Sequence, residues 1–163
     1  MSNLPSNNNN PEPVPAMVVA TYILRQRHDQ GRSTTTLDLV KLVYLSHGWF
    51  LGIYGIPLII ESVEAWPYGP VIPIVYERFK SYRGNPIDIV PIDNSGQLDP
   101  RQRAVIDETL RAYDAFDSWG LSAITHKPGT PWDQISDHGL WLIIPNSFIQ
   151  QHYAGLYERE YAG

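Results

Sequence analysis

The sequence of 163 residues predicts a mainly α-helical fold of the α+β class: a single compact helical domain around a central apolar helix, with a small β-hairpin or short strands. Three observations support this prediction. Apolar residues recur at helical spacing in several segments, and capping residues precede three of the predicted helices. Residues 36–54 are apolar on both sides of the predicted helix, which is typical of a helix in the middle of a fold. Residues 58–66 follow a Gly and a Pro and are expected to be extended.

Residues 1–15 are rich in Asn, Ser and Pro and predict a disordered tail, because such a segment buries too little apolar area to offset the entropy of ordering. The folded domain is therefore expected to span residues 16–163. Its first helix is predicted at residues 16–28 and is stopped by Gly31. The apolar positions of this helix at i, i+3, i+4 and i+7 are Ala16, Val19, Ala20 and Ile23.

The second helix, predicted at residues 36–54, is the central helix of the fold. Thr35 and Asp38 form a capping box at its start. Gly48 and Gly52 lie four residues apart and lower its helix propensity, so we expect close packing against another element there. One apolar face is expected to consist of Leu39, Leu42, Val43, Trp49, Phe50 and Ile53, and most of the opposite face of Val40, Tyr44, Leu51 and Tyr54.

The segment after the central helix predicts a small β-element and a short helix. Residues 58–66 are expected to be extended and to lead into a turn at residues 68–70, and a helix is predicted at residues 73–82. Residues 87–90 alternate apolar and polar side chains and predict a short strand that pairs with residues 58–66. Four further helical segments are expected to begin at the Asp99–Pro100 cap, at residue 121, at the Thr130, Pro131 and Asp133 cap, and at residue 147.

Composition and charge narrow the classes of function. The chain has no cysteine, which excludes disulfides, thiol catalysis and Cys-based zinc sites. Its formal net charge is −5, and an acidic surface disfavours binding to a phosphate backbone, so nucleic acid is not an expected partner. Residues 1–15 lack the basic start and apolar run of a signal peptide, and no segment reaches the ~20 apolar residues of a membrane span. We therefore expect a cytoplasmic protein without a membrane partner.

No residues form a recognisable catalytic or metal-binding set. The five histidines include no i, i+4 pair and no HExxH motif, so neither a metal nor another cofactor is predicted. Ser122 and His126 lie four residues apart and could touch, but such a pair more often stabilises a helix by a side-chain hydrogen bond than acts as a nucleophile and its base. The sequence thus predicts a non-enzymatic protein, with a hydrolase that uses His126 as the alternative.

Lys41 lies among apolar residues of the central helix and admits two interpretations. It could form a buried ion pair or contact a partner. Alternatively, its stem packs along the helix while its ammonium group reaches water or Asp38, and we favour this second interpretation.

The WPYGPV turn, residues 66–71, is the best candidate for a partner-binding site. Trp, Tyr and Pro on a rigid turn provide a large contact area at low entropic cost. The alternative is that the aromatic side chains pack inward and close the core, and the second aromatic turn, at residues 130–132, has the same ambiguity. The residues expected to bind a partner are Trp66, Tyr68, Pro70, Val71, Tyr76 and Trp132.

A spaced set of aromatic, aliphatic, charged, His, Gly and Pro positions runs through residues 37–82. It consists of Leu39, Lys41, Leu42, Tyr44, His47, Gly48, Trp49, Leu51, Gly55, Pro57, Glu64, Ala65, Trp66, Tyr68, Gly69, Pro70, Val71, Tyr76 and Phe79. LSAITH at residues 121–126 and PGTPWDQI at residues 128–135 follow it. This pattern closely resembles the Panacea antitoxin domain, also called the SocA-like or GepA-like family of bacterial and phage proteins. The resemblance extends over residues 16–153.

The resemblance implies a mostly helical single domain that binds a protein toxin and neutralises it. The expected partner is a toxin encoded by the adjacent gene. One family member delivers its toxin to a cytosolic protease, which makes such a protease a second candidate partner. An alternative is a phage or prophage interaction protein that inhibits a host factor, and a homodimer is left open.

Overall fold

The computed structural model describes residues 9–162 and has the mainly helical architecture that the sequence predicts. A three-stranded antiparallel sheet lies at one side of the helices, and short 3₁₀ turns occur at Lys80–Tyr82 and Ser95–Gln97. The helices are α1 (Ala16–Asp29), α2 (Thr36–Tyr54), α3 (Pro73–Phe79), α4 (Pro100–Ala112), α5 (Ser118–His126), α6 (Pro131–Ser136) and α7 (Asn146–Tyr157), which continues into a π-helical turn at Glu158–Ala162. The strands are β1 (Val63–Trp66), β2 (Gly69–Val71) and β3 (Ile143–Ile144).

Helix α2 is the centre of the fold, as predicted. It packs against α1, α3, α4, α5, α7 and β2, so that most of its side chains are buried on every side. The Thr35 hydroxyl accepts a hydrogen bond from the Asp38 amide, and the Asp38 carboxylate accepts one from the Thr35 amide. Gly55 ends the helix with φ of 72°, a left-handed conformation that favours glycine.

Gly48 and Gly52 give α7 its close approach to α2, which confirms the packing role expected of them. A Cβ atom on Gly48 would lie 2.5 Å from the Tyr153 ring, and one on Gly52 would lie 2.6 Å from the backbone of Tyr153. The ring of Tyr153 packs edge-on against Tyr44 and Trp49, at centroid distances of 6.1 and 5.3 Å. The two glycines therefore seat an aromatic side chain of α7 directly on the central helix.

The predicted burial is wrong at the C-terminal end of α2. Trp49 is half-buried and donates its indole N–H to the Tyr113 hydroxyl at 2.9 Å, while Ile53 and Tyr54 are exposed. These three side chains line a groove of about 520 Å³ together with Tyr113 and residues of α4 and of the C-terminal segment. One side of the last turns of α2 faces this groove, so an apolar pattern there does not lead to complete burial.

The sheet has the strand order β2-β1-β3, which differs from the predicted pairing. Residues 87–90 form no strand, and Val90 is 73% exposed. The prediction of a strand there is wrong, because no strand within residues 9–162 lies beside residues 87–90 to pair with them. The position beside β1 is taken by β3, which pairs with Val63 and Glu64.

His47 joins α2 to the start of α7 and to the segment before β1. Its Nε2 lies 3.0 Å from Asn146 Oδ1, and its Nδ1 accepts the amide of Leu58 at 3.3 Å. The ring is fully buried, and burial lowers the pKa of His47 from its ordinary 6.5 to about 4. A neutral imidazole with Nε2 protonated satisfies both contacts.

The chain before α1 contacts the domain from residue 9 onwards. Val14 donates its amide to the Leu58 carbonyl at 2.9 Å and accepts the Ile60 amide at 3.0 Å. Glu12 and Asn9 accept hydrogen bonds through their carbonyls from side chains of α4. Residues 1–8 of the predicted tail lie outside the described residues.

No helix within residues 9–162 combines the length and apolar character that a membrane span requires.

Candidate protein-binding surface

The hairpin turn at residues 66–71 presents aromatic side chains to solvent beside α3 and β3. We call Trp66, Tyr68, Tyr76 and Trp141 the aromatic surface. The ring of Trp66 lies 5.0 Å from that of Tyr76 and 5.0 Å from that of Trp141. Tyr68 is 72% exposed and Trp141 is 57% exposed. With Leu37, Val40, Pro67 and Val71, the four residues line a groove of about 250 Å³ that has an almost entirely apolar wall.

The inner side of the hairpin turn is held by three side chains from three different helices. Trp132 of α6 donates its indole N–H to the Trp66 carbonyl at 2.6 Å. Ser122 of α5 donates its hydroxyl to the Tyr68 carbonyl at 2.7 Å. The Pro70 carbonyl accepts a hydrogen bond from Lys41 of α2 at 2.8 Å. Alternate carbonyls of the turn are thereby fixed towards the protein interior.

Lys41 is fully buried, so the prediction that its amine reaches water or Asp38 is wrong. Among residues 9–162, no carboxylate forms an ion pair with Lys41, and its amine reaches no surface. Burial lowers the pKa of Lys41 to about 7. The physical reason for its burial is that the β-hairpin covers this part of α2 and closes the route by which a lysine stem would reach solvent.

Gly69 makes room for the Lys41 amine. Its φ is 121°, in the region that side chains rarely adopt, and a Cβ atom there would lie 2.8 Å from Lys41 Nζ. Glycine at this position therefore satisfies both the turn geometry and the close approach of the buried amine.

Trp141 reaches the aromatic surface through a β-bulge. Its amide donates to the Ala65 carbonyl at 2.6 Å, while the Ala65 amide donates to the Leu142 carbonyl at 2.8 Å, so two residues face one on β1. Its φ is 69°, a conformation that costs roughly 1–2 kcal/mol for a residue with a side chain. The bulge turns the Trp141 ring onto Trp66, and strained backbone of this kind concentrates at functional sites.

Sequence reasoning missed Trp141. A signal for it exists in residues 140–144, because five consecutive apolar residues in a short segment after Gly139 are unusual unless buried or used in binding. The first four are exposed in the structure, and Ile144 is buried.

The six residues predicted to bind a partner divide between the two sides of the hairpin turn. Tyr68 and Tyr76 are exposed and Trp66 is half-buried, and these three belong to the aromatic surface. The other three lie deeper. Val71 is buried at the wall of the groove, Pro70 is buried with its carbonyl towards Lys41, and Trp132 is half-buried with its ring 5.4 Å from that of His126.

The Ser122 and His126 pair is tied to the same turn. Ser122 Oγ lies 3.3 Å from His126 Nδ1, but the hydroxyl hydrogen bond to the Tyr68 carbonyl is shorter. The serine therefore serves to anchor the turn in this structure. Within residues 9–162, no three His, Cys, Asp or Glu side chains lie close enough to hold a metal ion.

The comparisons with known proteins agree with the sequence resemblance. Residues 39–133 match the family described as Antitoxin SocA-like, Panacea domain. The chain is 31% identical over 165 aligned positions to Antitoxin SocA of Caulobacter vibrioides, and the alignment covers 92% of this chain and 88% of that protein. No solved structure matches the chain significantly. The chain belongs to the SocA-like Panacea domain family of antitoxins.

Proposed function

We propose that this protein is the antitoxin of a toxin–antitoxin pair and that it neutralises a protein toxin by direct binding through the aromatic surface. Membership of an antitoxin family supports the first part. The observation that carries the second part is the cluster of the exposed rings of Tyr68, Tyr76 and Trp141 around the half-buried Trp66, on one rigid turn and its neighbours.

The energetics of protein interfaces favour this surface as the binding site. Trp and Tyr side chains dominate binding hot spots because they bury a large area with few rotatable bonds. The carbonyls of Trp66, Tyr68 and Pro70 are already hydrogen-bonded to the interior, so little conformational entropy remains to be lost when a partner binds. The groove beside the rings has room for an apolar side chain of the partner.

Delivery of the toxin to a cytosolic protease would require a second surface on the antitoxin. The groove of about 520 Å³ between the end of α2, α4 and the C-terminal segment is a candidate, because Trp49, Tyr113, Tyr157 and Tyr161 line it. It is built from other residues than the aromatic surface, so both could be occupied at once. We propose toxin binding as the primary function and protease delivery as a mechanism that this second groove would permit.

Co-expression tests the proposal directly. The protein encoded by the adjacent gene should arrest growth when it is expressed alone, and growth should recover when this antitoxin is expressed with it. A harmless neighbour, or one that stays toxic beside the antitoxin, would contradict the proposed function.

A matched pair of variants tests the surface. Trp141→Ala should abolish or strongly reduce the recovery of growth and the affinity for the purified toxin. Tyr161→Ala removes an aromatic side chain of similar exposure that lies outside the aromatic surface, and it should retain the parent affinity. Equal loss of affinity in the two variants would show that the aromatic surface has no special role.

A further inference from the structure

Lys41 is a buried amine whose hydrogen bond goes to the turn that carries the aromatic surface. Burial of an amine is unfavourable unless its polar group gains a specific contact, and an apolar side chain of similar length would fill the same space without this desolvation penalty. The contact that Lys41 makes is with the Pro70 carbonyl, at 2.8 Å. The position is therefore better explained by what the amine holds than by core packing.

We propose that Lys41 is a positioning residue of the aromatic surface: its amine fixes the hairpin turn from beneath, so that Trp66 and Tyr68 are held facing outward. The inference deepens the proposed function, and it rests on that function only in assigning the surface to a toxin. The positioning itself is a property of the free protein.

The contacts around the amine support this role. Lys41 Nζ supplies a partner for a carbonyl that is buried with Pro70, and a buried carbonyl without a partner is costly. Without the amine, the turn would have to move until this carbonyl reached water. A Cβ atom on Gly69 would lie 2.8 Å from Lys41 Nζ, so the amine packs directly against the backbone of the turn.

Two other side chains also hydrogen-bond carbonyls of this turn. Ser122 and Trp132 bind the Tyr68 and Trp66 carbonyls and are themselves carried by α5 and α6. Lys41 alone of the three extends from the central helix, which is the most completely packed element of the fold. It thus links the position of the turn to the rigid core.

Hydrogen exchange in the Lys41→Met protein tests the proposal. Met preserves most of the length and apolar volume of the side chain and removes the donor. We expect the amides of Gly69 and Val71 to exchange about tenfold faster or more, and by more than any change in global stability accounts for. Near-ultraviolet circular dichroism should show a change from the Trp66 environment.

Thr36→Val is the matched control, because it removes another buried hydrogen bond of α2, the 2.8 Å bond from the Thr36 hydroxyl to the Phe79 carbonyl. It should not accelerate exchange at Gly69 and Val71 selectively. The Lys41→Gln variant retains an N–H donor on a shorter side chain and should restore part of the protection. If Lys41→Met does not fold, Lys41→Gln carries the test by comparison with the parent protein.

The outcomes separate the two proposals. Unchanged protection of Gly69 and Val71 in the Lys41→Met protein, or a loss that merely follows global stability, would overturn the positioning role. Equal exchange in the Met and Gln variants would also overturn it, because only side-chain volume would then matter. Selective loss of protection with unchanged affinity for the purified toxin would support the positioning role and contradict the assignment of the aromatic surface to the toxin.

Discussion

Two aromatic clusters in this protein have nearly the same internal geometry and opposite relations to solvent. In the first, Tyr153 packs edge-on against Tyr44 and Trp49 at 6.1 and 5.3 Å. In the second, Trp66 packs against Tyr76 and Trp141, at 5.0 Å in both pairs. The first cluster is largely buried, whereas the second is open to solvent at Tyr76 and Trp141.

The difference is whether another element covers the rings. At the first cluster, Gly48 and Gly52 allow α7 to close over α2. At the second, a bulge immediately before β3 brings Trp141 alongside Trp66, and no element within residues 9–162 closes over the two rings. Ring geometry alone therefore does not distinguish a core from a binding surface, and the covering element has to be known.

The largest expected effect is on the covered cluster. Tyr153→Ala should lower the free energy of unfolding by about 3–5 kcal/mol, because it removes a buried ring between two closely packed helices. Trp141→Ala, in the uncovered cluster, should change it by less than about 1 kcal/mol. Denaturant unfolding of both variants measures the contrast, and similar values for the two would show that the clusters do not differ as described.

Lowering the pH should reduce the free energy of unfolding through His47, which joins α2 to the start of α7 in the covered region. The pKa of His47 is lowered to about 4 in the folded state, so the unfolded state takes up the proton first as the pH falls. The contribution of His47 is fully present above pH 6.5 and is lost between about pH 6.5 and pH 4, by up to roughly 3 kcal/mol. In a His47→Gln protein, unfolding measured across this range should lack the part of the slope due to this residue. An identical slope in both proteins would refute the assignment.

The uncovered cluster should show the reverse pattern, with binding affected and stability preserved. Tyr68→Ala should weaken binding of the purified toxin by more than about 1 kcal/mol, because an exposed anchor is lost from a turn whose backbone contacts are unchanged. Calorimetric titration and thermal unfolding together measure the two quantities. Large destabilisation with unaltered affinity per folded molecule would indicate that Tyr68 supports the core instead.

The smallest effect is expected at the N-terminus. Deletion of residues 1–8 should leave the thermal midpoint nearly unchanged. Deletion of residues 1–15 also removes Val14, whose two backbone hydrogen bonds to Leu58 and Ile60 attach the chain to the domain, and should lower the midpoint measurably. Scanning calorimetry of the two truncated proteins makes the comparison. Equal midpoints would mean that the Val14 contacts contribute little.

The features that the sequence determined by itself are those with local causes. The Thr35 and Asp38 capping box, the end of α2 before Gly55 and the Asp99 cap each depend on residues within a few positions of one another, and all three are present. The apolar character of α2 on both sides predicts its central place for a similar reason, since burial is the way to remove that much apolar surface from water. The spaced motifs carried the family assignment as well.

Tertiary structure alone decided which element lies opposite which. Residues 87–90 have a strand-like pattern, yet β3 occupies the edge of β1, because the loop after α6 brings Ile143–Ile144 there. Lys41 is buried and Trp49 is partly open because the β-hairpin covers one end of α2, whereas nothing in residues 9–162 fully covers the other. Trp141 joins Trp66 through a bulge. Each of these outcomes depends on contacts between residues far apart in the chain, and periodicity and capping signals carry no information about such contacts.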